Sequence, residues 1–149
     1  ALILLVYGVA IAVGNMIGGK LANKNPIGSL FYMFIIQAII LLLLTFTAPF
    51  KVVGLITIIL MGVFAFMNVP GLQVYVVMLA ERYVPSAVDV ASAMNIAAFN
   101  AGIAIGSYLG GIVADSIGLI HTAWIGSIMV MIAAILTCIS RMLERKEQI

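Results

Sequence analysis

Carboxamides recur where a very apolar chain has least reason to keep them: Asn15, Asn68, Gln73, Asn95 and Asn100 all fall inside long hydrophobic runs. An amide both donates and accepts hydrogen bonds but does not titrate, so such a set can recognise hydroxyl, amide or heteroatom groups without acid–base chemistry. Ionisable groups at membrane depth cost about 2.5 to 3.5 kcal/mol each by insertion scales. Consistent with that cost, Glu81, Asp89 and Asp115 stand at the margins of the runs. His121 falls at an outer edge as a solvated loop residue, and Cys138 is a lone thiol, which leaves neither a disulfide nor a metal site. No G-x-S-x-G, H-E-x-x-H, paired intramembrane Asp or Asp-rich phosphotransfer motif occurs, which argues against an intramembrane enzyme. Recognition without catalysis, cofactor or metal is the expectation.

The amides form two groups. Asn68, Pro70, Gly71 and Gln73 cluster near the middle of the third run, where Pro70 cannot donate a hydrogen bond and clashes with the carbonyl of Phe66. A kink or break is expected there, either facing a water-filled cavity or packed against another helix with its amides satisfied. Interrupted helices are a pointer to transporter binding sites, which favours the cavity. Tyr75, two turns beyond Asn68, would share its face. In the fourth run Asn95, Phe99, Gly102, Gly106 and Gly110 recur at three- or four-residue spacing and define one helical face, with Asn100 off that stripe. The glycines would let another backbone approach, as would Gly14 and Gly18 in the first run. Asn95 and Asn100 either line a substrate path or bond a neighbouring helix. Asn15 could reach the same cavity, whereas Gln37 would bond a neighbouring helix. Ser86 and Asp89 after Pro85 have the form of a capping box. Trp124 and Tyr108 lie near run ends as interface anchors, and most of the nine Met residues would fill packing gaps or face lipid.

The elements that position these residues follow from composition. The 149 residues are 65% hydrophobic and 8% charged, with mean hydropathy +1.31, which a water-exposed surface could not sustain. Five stretches lack Asp, Glu, Lys and Arg: Ala1 to Gly19, Pro26 to Phe50, Val52 to Ala80, Val90 to Ala114, and Ser116 to Ser140. A helix crosses a hydrocarbon core of about 30 Å in about 20 residues, and sheet edges cannot be left unpaired in lipid. An all-α membrane domain is expected, with spans near 1–19, 27–49, 53–79, 90–113 and 120–140. Threading them in order places Lys20, Lys24, Arg82, Arg141, Arg145 and Lys146 on one side and Lys51 on the other. The positive-inside rule makes the first side, with the C-terminus, cytoplasmic. Topology accounts for the net charge of +2, and no nucleic-acid motif is present.

An internal repeat adds an architectural constraint. Gly14 to Asn23 and Gly106 to Asp115 both fit G-x-x-[IL]-G-G-x-[LV]-A-[ND], each closing an apolar run. Three runs separate the copies, so they end on opposite faces, as in inverted three-helix repeats of secondary transporters. Spans three to five would then form one unit, and spans one and two the remainder of a unit whose first helix precedes Ala1. The lack of an initiator Met or a signal sequence agrees with an expected fragment of a larger chain. The alternative is a self-assembling pentaspan channel or scaffold, which gives no reason for the repeat.

The loop Gly18, Gly19, Lys20, Leu21, Ala22, Asn23, Lys24, the Pro70 to Gln73 interruption, and Asn95 to Gly102 followed by Gly106, Gly110 and Gly111 together resemble the C-terminal half of major facilitator superfamily permeases. The resemblance covers nearly the whole chain and is strongest to twelve-span drug:proton antiporters of the arabinose-efflux-permease-like branch. It implies that the five spans correspond to the eighth through twelfth helices of a rocker-switch exporter in the bacterial inner membrane. It further implies proton-driven efflux of sugars, nucleosides or lipophilic drugs, with the missing N-terminal half as partner and the coupling acid upstream of Ala1. The family usually has Asp where this chain has Asn23, which removes a charge from the loop. Lys20 and Lys24 are read as topology determinants in preference to a gating role.

Overall fold

The computed structural model describes residues 2–147, the side chain of Glu147 excepted. Five long helices account for almost all of it: α1 (Leu2–Ala22), α2 (Pro26–Thr47), α3 (Lys51–Tyr83), α4 (Val88–Ser116) and α5 (His121–Glu147), with a single 3-10 turn at Pro85–Ala87. All five are long and apolar enough to cross a membrane. They outrun the charge-free stretches at several ends, because a helical backbone continues through the interface into polar residues such as Lys20, Glu81 and Arg82.

The connections are short and locally determined. Asn25 caps α2 by accepting the Gly28 amide through Oδ1 (3.0 Å), and Pro26 takes the first helical position, where no amide is needed. α4 ends where Gly118 adopts φ 105°, with its amide on the carbonyl of Val113 (3.2 Å). The expected capping box at Ser86 and Asp89 is not formed. Ser86 lies within the 3-10 turn, α4 starts at Val88, and no side chain caps it.

Of the kink or break expected at Pro70, the break is not formed. α3 runs unbroken from Lys51 to Tyr83 through the proline. One missing amide does not end a 33-residue apolar helix whose neighbours support it on both sides. Gly71 beside it provides the closest support, since a Cβ there would come within 2.9 Å of the Leu30 side chain on α2.

α3 is the hub. It packs against α1, α2 and α4, while α5 packs mainly on α2. α1 and α3 run parallel, because Gly14 meets the backbone of Val63 and Gly18 that of Met67, with the same offset in sequence. Ile27, Leu30, Phe34, Tyr75 and Ala134 form a buried cluster joining α2, α3 and α5. Two polar ties reinforce it: Ser127 Oγ donates to the Ala38 carbonyl (2.7 Å), and Tyr75 Oη is hydrogen-bonded to Ser140 Oγ (2.7 Å) and Glu144 Oε1 (2.9 Å). No described residue of α4 is buried.

Candidate functional site

Gln73 lies ten residues before the end of α3, about 15 Å of helix. Ser92 and Asn95 sit one turn apart near the start of the antiparallel α4. This register brings three polar side chains together across the α3–α4 seam. Asn95 Nδ2 donates to Gln73 Oε1 (2.6 Å), and Gln73 Nε2 donates to Ser92 Oγ (2.6 Å). Both ends of this relay stay usable: Asn95 Oδ1 can accept and the Ser92 hydroxyl can donate.

The relay forms one edge of a concavity of ≈ 450 Å³ lined by Val69, Leu72, Gln73, Asn95, Ile96, Ala98 and Phe99. No charged residue contributes to this wall, which is mostly hydrophobic with a few convergent polar groups. Such a wall suits an amphipathic small molecule with a hydroxyl, amide or ring heteroatom. Gln73 also borders a second concavity, ≈ 370 Å³, running past Val77 and Glu81 of α3 toward Ala22, Asn23 and Pro26 at the α1–α2 loop. One glutamine therefore stands between the seam and the basic end of the bundle.

The remaining candidates separate by helical face. Gln73, Asn95 and Phe99 meet at the seam, with Phe99 40% exposed along it. Asn68 and Tyr75 do not join them. Both are buried with Gly71 on the opposite side of α3, where Asn68 Nδ2 donates to the Phe64 carbonyl (3.0 Å) and Tyr75 enters the α2–α5 core. The expectation that Tyr75 shares the face of Asn68 is met, but that face is not the one bearing Gln73. Asn15 and Asn100 are exposed on α1 and α4, outside the lining of the seam. Asn68 Oδ1 and Gln37 Oε1 are buried without a hydrogen-bond partner among the described residues.

The glycines divide likewise. Gly14 and Gly18 abut the α3 backbone, whereas a Cβ at Gly102, Gly106 or Gly110 would meet nothing within 4 Å. In the loop motif, Gly19 is open, Leu21 caps through its carbonyl by accepting Ser29 Oγ (3.1 Å), and Lys20, Asn23 and Lys24 are exposed. Ser92 is the one member of the polar relay that sequence reasoning missed. Its signal was available as the residue one turn before Asn95 on the same face.

Comparison with known proteins follows the same lines. The family model described as Major Facilitator Superfamily matches residues 1–148. The chain is 74% identical over 148 residues to "Uncharacterized MFS-type transporter YtbD" of Bacillus subtilis (strain 168), a match covering 99% of this chain and 37% of that protein. It is 31% identical over 138 residues to "Inner membrane transport protein YdhP" of Escherichia coli (strain K12), covering 92% and 34%. Against "Probable sugar efflux transporter" of Helicobacter acinonychis (strain Sheeba) it is 31% identical over 133 residues, covering 89% and 33%. The chain thus spans about a third of the length of the curated relatives it matches. No solved structure matches significantly.

Proposed function

The chain belongs to the Major Facilitator Superfamily, a family of transporters rather than enzymes, and from that premise we propose that it is the cavity-forming C-terminal half of a proton-coupled exporter. The observation that carries this reading is the Asn95–Gln73–Ser92 relay beside the apolar wall of Leu72, Val69 and Phe99. Uncharged donors and acceptors against hydrocarbon fit sugars, nucleosides or lipophilic drugs better than ions. A relative named as a probable sugar efflux transporter supports the first of these classes.

Alternating access assigns the remaining surfaces. The α4 face bearing Gly102, Gly106 and Gly110 would contact the other half of the transporter, and the α1–α2 loop with Lys20 and Lys24 would face the cytoplasm together with the end of α5. Glu81, Asp89, Asp115 and Glu144 lie near helix ends. The acid that exchanges protons would therefore belong to the other half. A self-assembling pentaspan is disfavoured because the relatives carry this segment within chains about three times as long.

The test is efflux by the full-length transporter in proteoliposomes under an imposed proton gradient, using a panel of monosaccharides, nucleosides and hydrophobic dyes. Gln73→Ala and Asn95→Ala should each raise KM for the transported class roughly three- to tenfold, the scale of one lost hydrogen bond. Wild-type KM in both variants would remove the seam from the substrate path.

A further inference from the structure

A third concavity, predominantly polar and apart from the seam, lies where α2 begins and α5 ends. Arg141 and Arg145, one turn apart on α5, converge there with Asn25 and Ile27 from the start of α2 and with Glu144, around ≈ 200 Å³ of predominantly polar space. Neither guanidinium forms an ion pair with a described residue. Glu144 is engaged elsewhere, since its Oε1 accepts the Tyr75 hydroxyl (2.9 Å). Asn25 uses its Oδ1 on the Gly28 amide (3.0 Å), which leaves its Nδ2 as a donor. The N-terminus of the 22-residue α2 adds partial positive charge to the same place. The two arginines outweigh the one carboxylate, so the pocket is cationic and rich in donors.

Its depth specifies the source of an anion. Arg141 lies 20 residues after His121, which opens α5, and that rise of about 30 Å equals the thickness of the hydrocarbon core. With His121 and Trp124 at one boundary, joined by Trp124 Nε1 donating to His121 Nδ1 (2.9 Å), Arg141 and Arg145 reach the headgroup layer of the other leaflet. Lys20 and Lys24, exposed at the same end of the bundle, line neither this concavity nor the one beside Gln73, which sets the two converging arginines apart from them.

We propose that Asn25, Arg141 and Arg145 form a phosphate-binding site at the α2–α5 junction, filled by the headgroup of an anionic phospholipid. Each guanidinium can bind two phosphate oxygens through its planar fork, which a lysine cannot do. The bound lipid would tie α5 to α2 at the end where the Tyr75–Ser140–Glu144 cluster already joins α5 to α3.

The experiment is native mass spectrometry of the delipidated full-length transporter titrated with phosphatidylglycerol, phosphatidylcholine or inorganic phosphate, alongside thermal-shift measurements. Wild type should retain phosphatidylglycerol in preference to phosphatidylcholine. Arg141→Gln/Arg145→Gln should weaken that retention roughly thirtyfold, on the scale of two basic contacts near a membrane surface, while Lys20→Gln/Lys24→Gln stays within about twofold. Stabilisation by phosphatidylglycerol alone identifies a lipid as the source. Arginine-dependent stabilisation by millimolar inorganic phosphate identifies a soluble one, which supports phosphate recognition at this site and overturns its assignment to a lipid. If the double variant does not fold, Arg145→Lys decides, because it keeps the charge and loses the fork, and weaker retention is expected. Equal retention by wild type and the arginine variants, or equal loss in the lysine control, would overturn the proposal.

Discussion

The two copies of the glycine motif occupy opposite environments. At Gly14 and Gly18 the backbone of α3 comes so close that any Cβ would collide with the carbonyls of Val63 and Met67. At Gly102, Gly106, Gly110 and Gly111 a Cβ would meet nothing within 4 Å, and no described residue of α4 is buried. Small residues at four-residue spacing permit a backbone to approach but do not say which one. The α1 copy finds its partner within the chain, and the α4 copy is open. The same division runs through the polar residues. Tyr75 and Ser127 fasten the packed α2–α3–α5 side, while Gln73, Ser92 and Asn95 stand along the open α3–α4 seam.

Substitution at the paired glycines should break this comparison most severely. Gly18→Leu in the full-length transporter should abolish folded protein in fluorescence-detected size exclusion, because the side chain has no volume to enter against the Met67 backbone. Gly106→Leu should leave folded protein while stopping efflux, since the space beside it is open within this bundle. Equal loss of folded protein in both would erase the distinction. Next in size, Tyr75→Phe removes the hydrogen bonds to Ser140 and Glu144 and should lower stability by about 1–3 kcal/mol. Efflux per folded molecule should change little. Asn95→Ala should show the reverse, with nearly unchanged Tm and impaired transport, and a Tm loss matching that of Tyr75→Phe would mark the relay as structural. The smallest effect is expected at Ser92→Ala, which removes the end of the relay and should cost about 0.5–1.5 kcal/mol in substrate affinity. Asn100→Ala should have no effect on KM.

What the sequence made legible tracks the physics that dominates each feature. Five helices were readable because the cost of burying Asp, Glu, Lys or Arg in hydrocarbon confines charges to the ends of spans. Gln73 and Asn95 were each readable as polarity where it is least expected, but in separate groups, and their meeting with Phe99 across the α3–α4 seam was not readable. Nor was the face. Gln73 lies five residues from Asn68, about 140° around the helix, so the cluster near Pro70 points two ways at once, and only packing against α2 decides which way is inward. That ambiguity placed Tyr75 and Asn68 with Gln73 when they belong to the core. The break at Pro70 was over-read for a related reason: a missing amide weakens one turn, but whether the helix opens depends on the neighbours that hold it. Ser92 was passed over because a serine in a helix commonly bonds its own backbone, and its role here depends on the α3–α4 register.

The central claim is that the α3–α4 seam lines an aqueous substrate path. Its most direct test places single cysteines at Asn95 and Phe99 in the seam, and at Ile105 and Ile112, exposed apolar residues of α4 outside the seam lining that are expected to face lipid, in a full-length transporter carrying Cys138→Ser, and measures labelling by a membrane-impermeant thiol reagent on both sides of the membrane. Asn95→Cys and Phe99→Cys should label at least tenfold faster than Ile105→Cys and Ile112→Cys. Equally slow labelling at all four positions would mean that the seam is closed to water, and would contradict the account.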